Sequence, residues 1–224
     1  MKGVLMSIQP KWCQLIADKK KVVEVRKTRP KLETPFKVYI YCTVDKKREV
    51  FFTKEVFDGE KGKWAIPHVG NGKVIGEFIC DRIEDFYCAS VPYKKENNLG
   101  YGRFVDNGVY KVDGWHEGVV FERNDRYIDT MLNNNDLKEM CLSAQEVFDY
   151  IGIGKHLYAW HISDLKIYDK PKELSEFYAK CNIPESKCKL CDNCYDRADY
   201  YDRHYAVKKL TRPPQSWCYV EVER

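Results

Sequence analysis

No apolar run in the 224-residue sequence approaches the length of a membrane span, and the longest are strand-sized. Lys2 stands near the N-terminus with no extended apolar segment behind it, so MKGVLMSIQPKW does not read as a secretory signal. The expectation is a protein that stays in the cytoplasm and makes no membrane contact. A strong excess of one charge is also missing. Thirty-eight basic residues stand against 34 acidic ones, a net +4 that excludes a histone-like blanket of positive charge. There is no internal repeat, no low-complexity tract and no alternation of strands with helices that would signal a parallel doubly wound sheet. Hydrophobic content of 44% and aromatic content of 14% argue against global disorder.

What the charge does permit is a local basic patch. Lys19 to Lys31, KKKVVEVRKTRPK, holds seven Lys or Arg in thirteen positions. It fits either a solvated edge strand kept soluble by lysines or a surface that tracks phosphates.

Ten cysteines are present. Cys13, Cys42, Cys80, Cys88 and Cys141 are scattered singly and read as small core residues. The other five fall near the C-terminus. Cys188, Cys191 and Cys194 follow one another at two-residue gaps, Cys181 lies seven residues upstream, and His204 and Cys218 come after. Closely spaced thiolates converge on one ion at low loop-closure cost, and four soft ligands suit tetrahedral zinc. The expected cofactor is therefore structural zinc on Cys181, Cys188, Cys191 and Cys194, with His204 in reserve. Iron–sulfur ligation would want a Cys-Pro ending that is absent, and free thiols in a reducing compartment are the plain alternative. Lys187, Lys189 and Arg197 would let such a zinc knuckle touch nucleic acid.

Along the chain, Pro10 to Ala17 predicts a helix with proline in its first turn and Trp12, Leu15 and Ile16 on one face. Strands are expected at Val22 to Arg26, Phe36 to Thr43, Lys73 to Ile83, His156 to Tyr168 and Trp217 to Val222. Gly76 inside a strand suggests a bulge or a close backbone approach. Asp45 to Gly72 gives no clear assignment, and Asn97 to Glu117 reads as loop with one hairpin. Ser143 and Glu146 form a capping box before a helix that Gly152 stops, with Leu142 and Val147 as staple. A further short helix is expected at Glu173 to Ala179. The fold class is α+β and β-dominated, a small β-barrel with short helices.

The opening Ser7, Ile8, Pro10 and Trp12, followed by Lys21, Glu24 and Arg26 in a K-x-x-E-x-R strand, resembles the signature of ASCH proteins. Gly76, Glu77 and Phe78 match that family's later GEF strand. YAWHIS (Tyr158 to Ser163) and RPPQSW (Arg212 to Trp217) resemble its phage and Gram-positive branch. The resemblance implies a PUA-like barrel over residues 1–170 and a Cys-rich, metal-binding extension over 171–224 whose last strand returns to the barrel. It also implies a cleft for RNA, single-stranded nucleic acid or a modified nucleoside. Its candidate lining is Ser7, Trp12, Lys21, Glu24, Arg26, Tyr41, Arg212, Gln215 and Trp217. A small relative removes the acetyl group of acetylated cytidine with a lysine at the position of Lys21, and other relatives are linked to RNA cleavage.

Two chemistries follow for that site. As a binder, Arg26 takes a phosphate or base edge, Glu24 orients Arg26 or accepts from a cytosine amine, and Tyr41 or Trp12 stacks on a base. As an amidohydrolase or ribonuclease, Lys21 is base or nucleophile and Glu24 or Glu77 carries the proton. Strand alternation puts Val23 and Val25 on one face and Glu24 and Arg26 on the other. Lys21 then has the wrong parity unless the turn at Lys19 and Lys20 swings it round. The small hydrolase has threonine where this chain has Glu24, and a carboxylate there is expected to hold the lysine protonated, against the chemistry. The plain alternative is a surface ion pair worth ~0–1 kcal/mol. Trp160 reads as packing, and His161 as an acid or base lacking a Ser or Cys partner. Two prolines make Arg212 to Trp217 a rigid segment, either a cleft rim or a connector over a sheet edge. A phage-type protein-interaction module is the third functional class.

Overall fold

The computed structural model describes residues 2–55, 57–64, 66–91, 102–105, 109–112, 116–123, 126–180, 194–196 and 206–222. In chain order the elements are β1 (Lys2–Ile8), α1 (Pro10–Ala17), β2 (Val23–Arg26), β3 (Phe36–Cys42), β4 (Phe57–Asp58), β5 (Lys63–Trp64), β6 (Val74–Val91), β7 (Gly102–Val105), β8 (Val109–Val112), β9 (His116–Arg123), β10 (Arg126–Asp129), α2 (Asn134–Met140), α3 (Ala144–Ile151), β11 (Lys155–Lys172), a 3-10 turn (Leu174–Glu176), β12 (Phe177–Lys180), β13 (Cys194–Asp196), β14 (Ala206–Lys209) and β15 (Trp217–Val222). This is the β-dominated α+β class with short helices that the sequence predicts. Among the described residues, no helix is long and apolar enough to cross a membrane.

The chain divides into two units: Met1–Ala17, Pro35–Ile79 and Ser163–Arg224 in the first, Asp18–Thr34 and Cys80–Ile162 in the second. In the first unit β1 lies between β15, which runs antiparallel to it, and β3, which runs parallel. β12 extends the β15 side, followed by β14 and β13. Its core gathers Leu5, Tyr39, Tyr41, Val74, Tyr168, Phe177 and Val220. Gly76 belongs here, and its predicted close approach is found: a Cβ would stand 2.5 Å from the Lys166 carbonyl oxygen and 3.1 Å from the Ile167 Cα. Backbone atoms cannot yield as a flexible side chain would, so only glycine fits.

In the second unit β2 pairs antiparallel with β11, β10 pairs with β6, and β7 to β10 form an antiparallel meander. The core combines Val23, Val25, Cys88, Leu132, Leu137, Met140, Ala144, Val147, Ile151, Leu157 and Ala159. The helix after Ser143 has its capping box with Glu146, and it stops at Gly152, whose φ is 80°. α2 is an element the pattern reading passed over. Its own signal is a second capping box, Asn133 with Asp136.

Several expectations change. In α1 the buried residues are Pro10, Cys13 and Ile16, with Trp12 and Leu15 only partly covered. A small thiol thus fills the contact assigned to an indole. β11 continues through Asp169 to Pro171 to Lys172, because the fixed φ of proline suits an extended chain. The helix expected at Glu173 to Ala179 is a single 3-10 turn followed by β12. Fully buried Phe177 and the pairing of Tyr178 with both β14 and β15 override the local helix preference. Between Asn97 and Glu117 the expected hairpin is β7 with β8, and β9 begins at His116 and adds a third strand.

Candidate functional site

β2 buries all four of its residues, yet only two are apolar. Val23 and Val25 join the second unit's core. Glu24 and Arg26 turn to the opposite side, where they are 5% and 8% exposed. Lys19 takes a left-handed conformation (φ 57°), and the turn it makes brings Lys21 back to the same carboxylate. Lys21 is 2% exposed. Its Nζ lies 3.5 Å from Glu24 Oε2 and donates a 2.5 Å hydrogen bond to the Met140 carbonyl. Arg26 Nη2 stands 2.9 Å from Glu24 Oε1. The parity objection to Lys21 is therefore removed by the turn, and the pairing is buried rather than a surface ion pair.

The charge balance inside this triad sets burial against the neighbouring carboxylate. Burial is the largest influence on Lys21 and lowers its pKa from 10.5, while Glu24 and then Cys141 pull it back up. Desolvation wins. The carboxylate beside the lysine only partly offsets the loss of hydration, because so little water reaches the ammonium. Tyr150, at the end of α3, lies against the same group. Burial raises its phenol, and the charge of Arg26 and a hydrogen bond from it bring it partly back. Lys27 holds its Nζ 4.8 Å over the Tyr150 ring. Around the triad the segment exposes Lys19, Lys20, Lys27, Arg29 and Lys31.

The other residues expected at the site belong to the first unit. Ser7 is buried, with its hydroxyl donating to the Pro214 carbonyl at 2.6 Å and its N–H to that of Ser216 at 2.9 Å. Those two bonds tie Arg212 to Trp217 to the end of β1, leaving Arg212 and Gln215 exposed and Trp217 edge-on to Tyr219. Trp12 is half-buried, with Lys11 Nζ 4.4 Å over its ring. Tyr41 is a core ring, 6% exposed and packed with Leu5 and Tyr168, so it is not an open stacking platform. Glu77 accepts from Lys37 at 2.8 Å and from the Tyr168 hydroxyl at 2.6 Å. Burial alone would raise the Glu77 carboxyl, but those hydrogen bonds hold it below its ordinary value. Glu77 is thus engaged in its own cluster.

Cys181, Cys188, Cys191 and His204 lie outside the described residues, and Cys194 opens β13. Among the described residues no group of three or more metal-binding side chains occurs. Cys13, Cys42, Cys80 and Cys88 are buried, as expected, and Cys141 is partly so. Trp160 is fully buried. His161 has partners that sequence reading missed: Glu84 Oε2 at 2.9 Å and Arg82 Nη2 at 3.0 Å. Nothing in the sequence flagged the Met140 carbonyl or Tyr150 as neighbours of the triad. The one available signal was the capping box that sets α2 in place.

No family model and no curated protein matches the chain. Three solved crystal structures of the ASCH protein of Zymomonas mobilis resemble it. A tyrosine-to-phenylalanine mutant has a TM-score of 0.42 at 16% identity, covering 78% of this chain and 77% of that one. The protein itself gives 0.39 at 16%, with 77% and 73% covered. A serine-to-alanine mutant gives 0.44 at 15%, with 99% and 88% covered. At these scores and identities none of the three carries the fold or the function of this chain.

The triad sets a clear order of mutational costs. Glu24→Gln leaves two buried cations without their carboxylate and should destabilise by about 3–5 kcal/mol in urea unfolding. Lys21→Met leaves the Glu24–Arg26 pair intact and should stay within about 1 kcal/mol of the parent. The unfolded chain binds the Lys21 proton more readily than the folded one, so this group adds stability as pH rises from its depressed pKa toward 10.5. Parent protein should accordingly gain on Lys21→Met across that window, read as the difference in urea midpoints at a series of alkaline pH values.

Proposed function

We propose that the chain is an ASCH-type, PUA-like module that binds RNA or another single-stranded nucleic acid through its second unit. The observation that supports this most is the buried Lys21–Glu24–Arg26 triad, two cations on one carboxylate, set among five exposed cations of the same short segment. A compact group of that sign favours phosphates, and Lys19, Lys20, Lys27, Arg29 and Lys31 extend it along a backbone. The ordered motifs from Ser7 to Trp217 support the family reading. The tie between Ser7 and the Pro214 and Ser216 carbonyls gives the first and last of these motifs a common place.

A second reading, hydrolysis of an acetylated cytidine or of RNA, is favoured by one observation: burial lowers the pKa of Lys21, which makes its neutral amine more accessible. In that reading Lys21 is the base or nucleophile and Glu24, 3.5 Å away, the proton carrier. The Cys-rich segment completes the proposal. We infer a structural zinc on Cys181, Cys188, Cys191 and Cys194, with His204 in reserve, supported by their spacing. The metal would cross-link that segment.

Three measurements bear on these readings. Unstructured RNA should bind at low salt, and changing Lys19, Lys20 and Lys27 together to Gln should flatten the slope of log affinity against log salt by about 2. An unchanged slope, or no binding by the parent, refutes the binding function. Parent protein should release no acetate from acetylated cytidine. Turnover that Lys21→Ala abolishes, rising with pH through a pKa below 10.5, would establish the hydrolase instead. Elemental analysis should find about one zinc per chain, lost in Cys191→Ser; a metal-free native protein would dismiss the zinc.

A further inference from the structure

β11 alternates in the second unit. Leu157 and Ala159 point into the core and are fully buried. His156, Tyr158 and Trp160 therefore share the other face. They form a gradient, with His156 exposed, Tyr158 half-buried and Trp160 covered. Pairing with β2 puts Tyr158 opposite Arg26 and Trp160 opposite Glu24, so the ring row runs directly into the charged triad. The planes of His156 and Tyr158 lie within 15° of each other, with centroids 6.2 Å apart. Tyr87 of β6, 44% exposed, meets His156 edge to face at 5.2 Å. Asp85 Oδ1, 2.6 Å from His156 Nδ1, fixes the imidazole. That carboxylate is already partnered by the imidazole.

Packing does not explain this arrangement. An exposed tyrosine, an exposed histidine and a half-exposed tyrosine leave ring surface in water, near the end of β2 where Lys27 is exposed. Rings that grade from open to buried toward cations match a ligand that alternates flat apolar faces with negative charge. A duplex hides its base faces. A protein strand would need a free sheet edge, whereas this is a sheet face.

We propose that Tyr87, His156 and Tyr158 form a base-stacking face for single-stranded nucleic acid, with Lys27 taking a phosphate. This rests on the binding function above and names the residues and the strandedness it requires. Bases stack on the rings, and the chain runs along β11 toward Arg26.

The test uses the full chain and an oligoribonucleotide of about a dozen nucleotides carrying 2-aminopurine, single-stranded or annealed to its complement. Binding of the single strand should quench the probe and should be much tighter than that of the duplex. Tyr87→Ala and His156→Ala should each weaken it about five- to hundredfold with little change in salt slope, and Tyr87→Phe should restore it. Ring variants that melt like the parent yet bind as tightly, with the lysine variants still flattening the slope, overturn the stacking face alone. Duplex binding equal to single-strand binding does the same. A parent that binds neither overturns the nucleic-acid function itself.

Discussion

A single carboxylate held between two cations, almost out of reach of water, is the constraint on which the second unit turns. Burying three charged side chains side by side is costly, and the arrangement persists only if each is held by geometry. Glu24 reaches both cations because β2 gives it the same face as Arg26 and a left-handed turn returns Lys21 to that face. The Met140 carbonyl supplies a further acceptor for Lys21, which links the end of α2 to the start of β2. Helix, turn and strand are thereby fixed by one group, and the ring row of β11 inherits its position from the same strand pairing.

The two units differ in how they treat polarity. The first surrounds its tyrosines with apolar neighbours and settles its charges at the margin, as in the Lys37–Glu77–Tyr168 cluster. The second buries charge at one face of β2 while keeping the other face apolar. That contrast puts the buried charge in the second unit, even though more of the recognisable motif residues sit in the first.

Legibility in the sequence followed the range of the forces involved. The helix after Ser143 and the strand from Trp217 to Val222 were readable because a capping box, a glycine stop and an apolar run are local signals. The close approach at Gly76 was readable because a glycine inside a strand has few other causes. By contrast, the segment from Glu173 carries helix-forming residues, and only distant partners in β14 and β15 make most of it a strand. β1 is not legible, because its short apolar run Val4 to Met6 lacks the alternation that marks a strand. For the site, the trio Lys21, Glu24 and Arg26 was visible as a pattern, but its burial was not. Sequence pointed to the carboxylate as the main influence on the lysine, whereas burial weighs more on its pKa. Tyr41 shows the converse, an aromatic of apparent utility absorbed by packing.

The placement of β1 has a consequence for how the molecule comes into being. It finds its antiparallel neighbour only in β15, where Lys2 stands opposite Glu221. All the chain between the two strands must be made before that ladder can close, and such distant pairing is intrinsically slow. Meanwhile the continuous stretch Cys80–Ile162, which supplies most of the second unit, is already complete. Synthesis thus favours an order in which the second unit matures early while one edge of β1 stays open to wrong partners until β15 arrives.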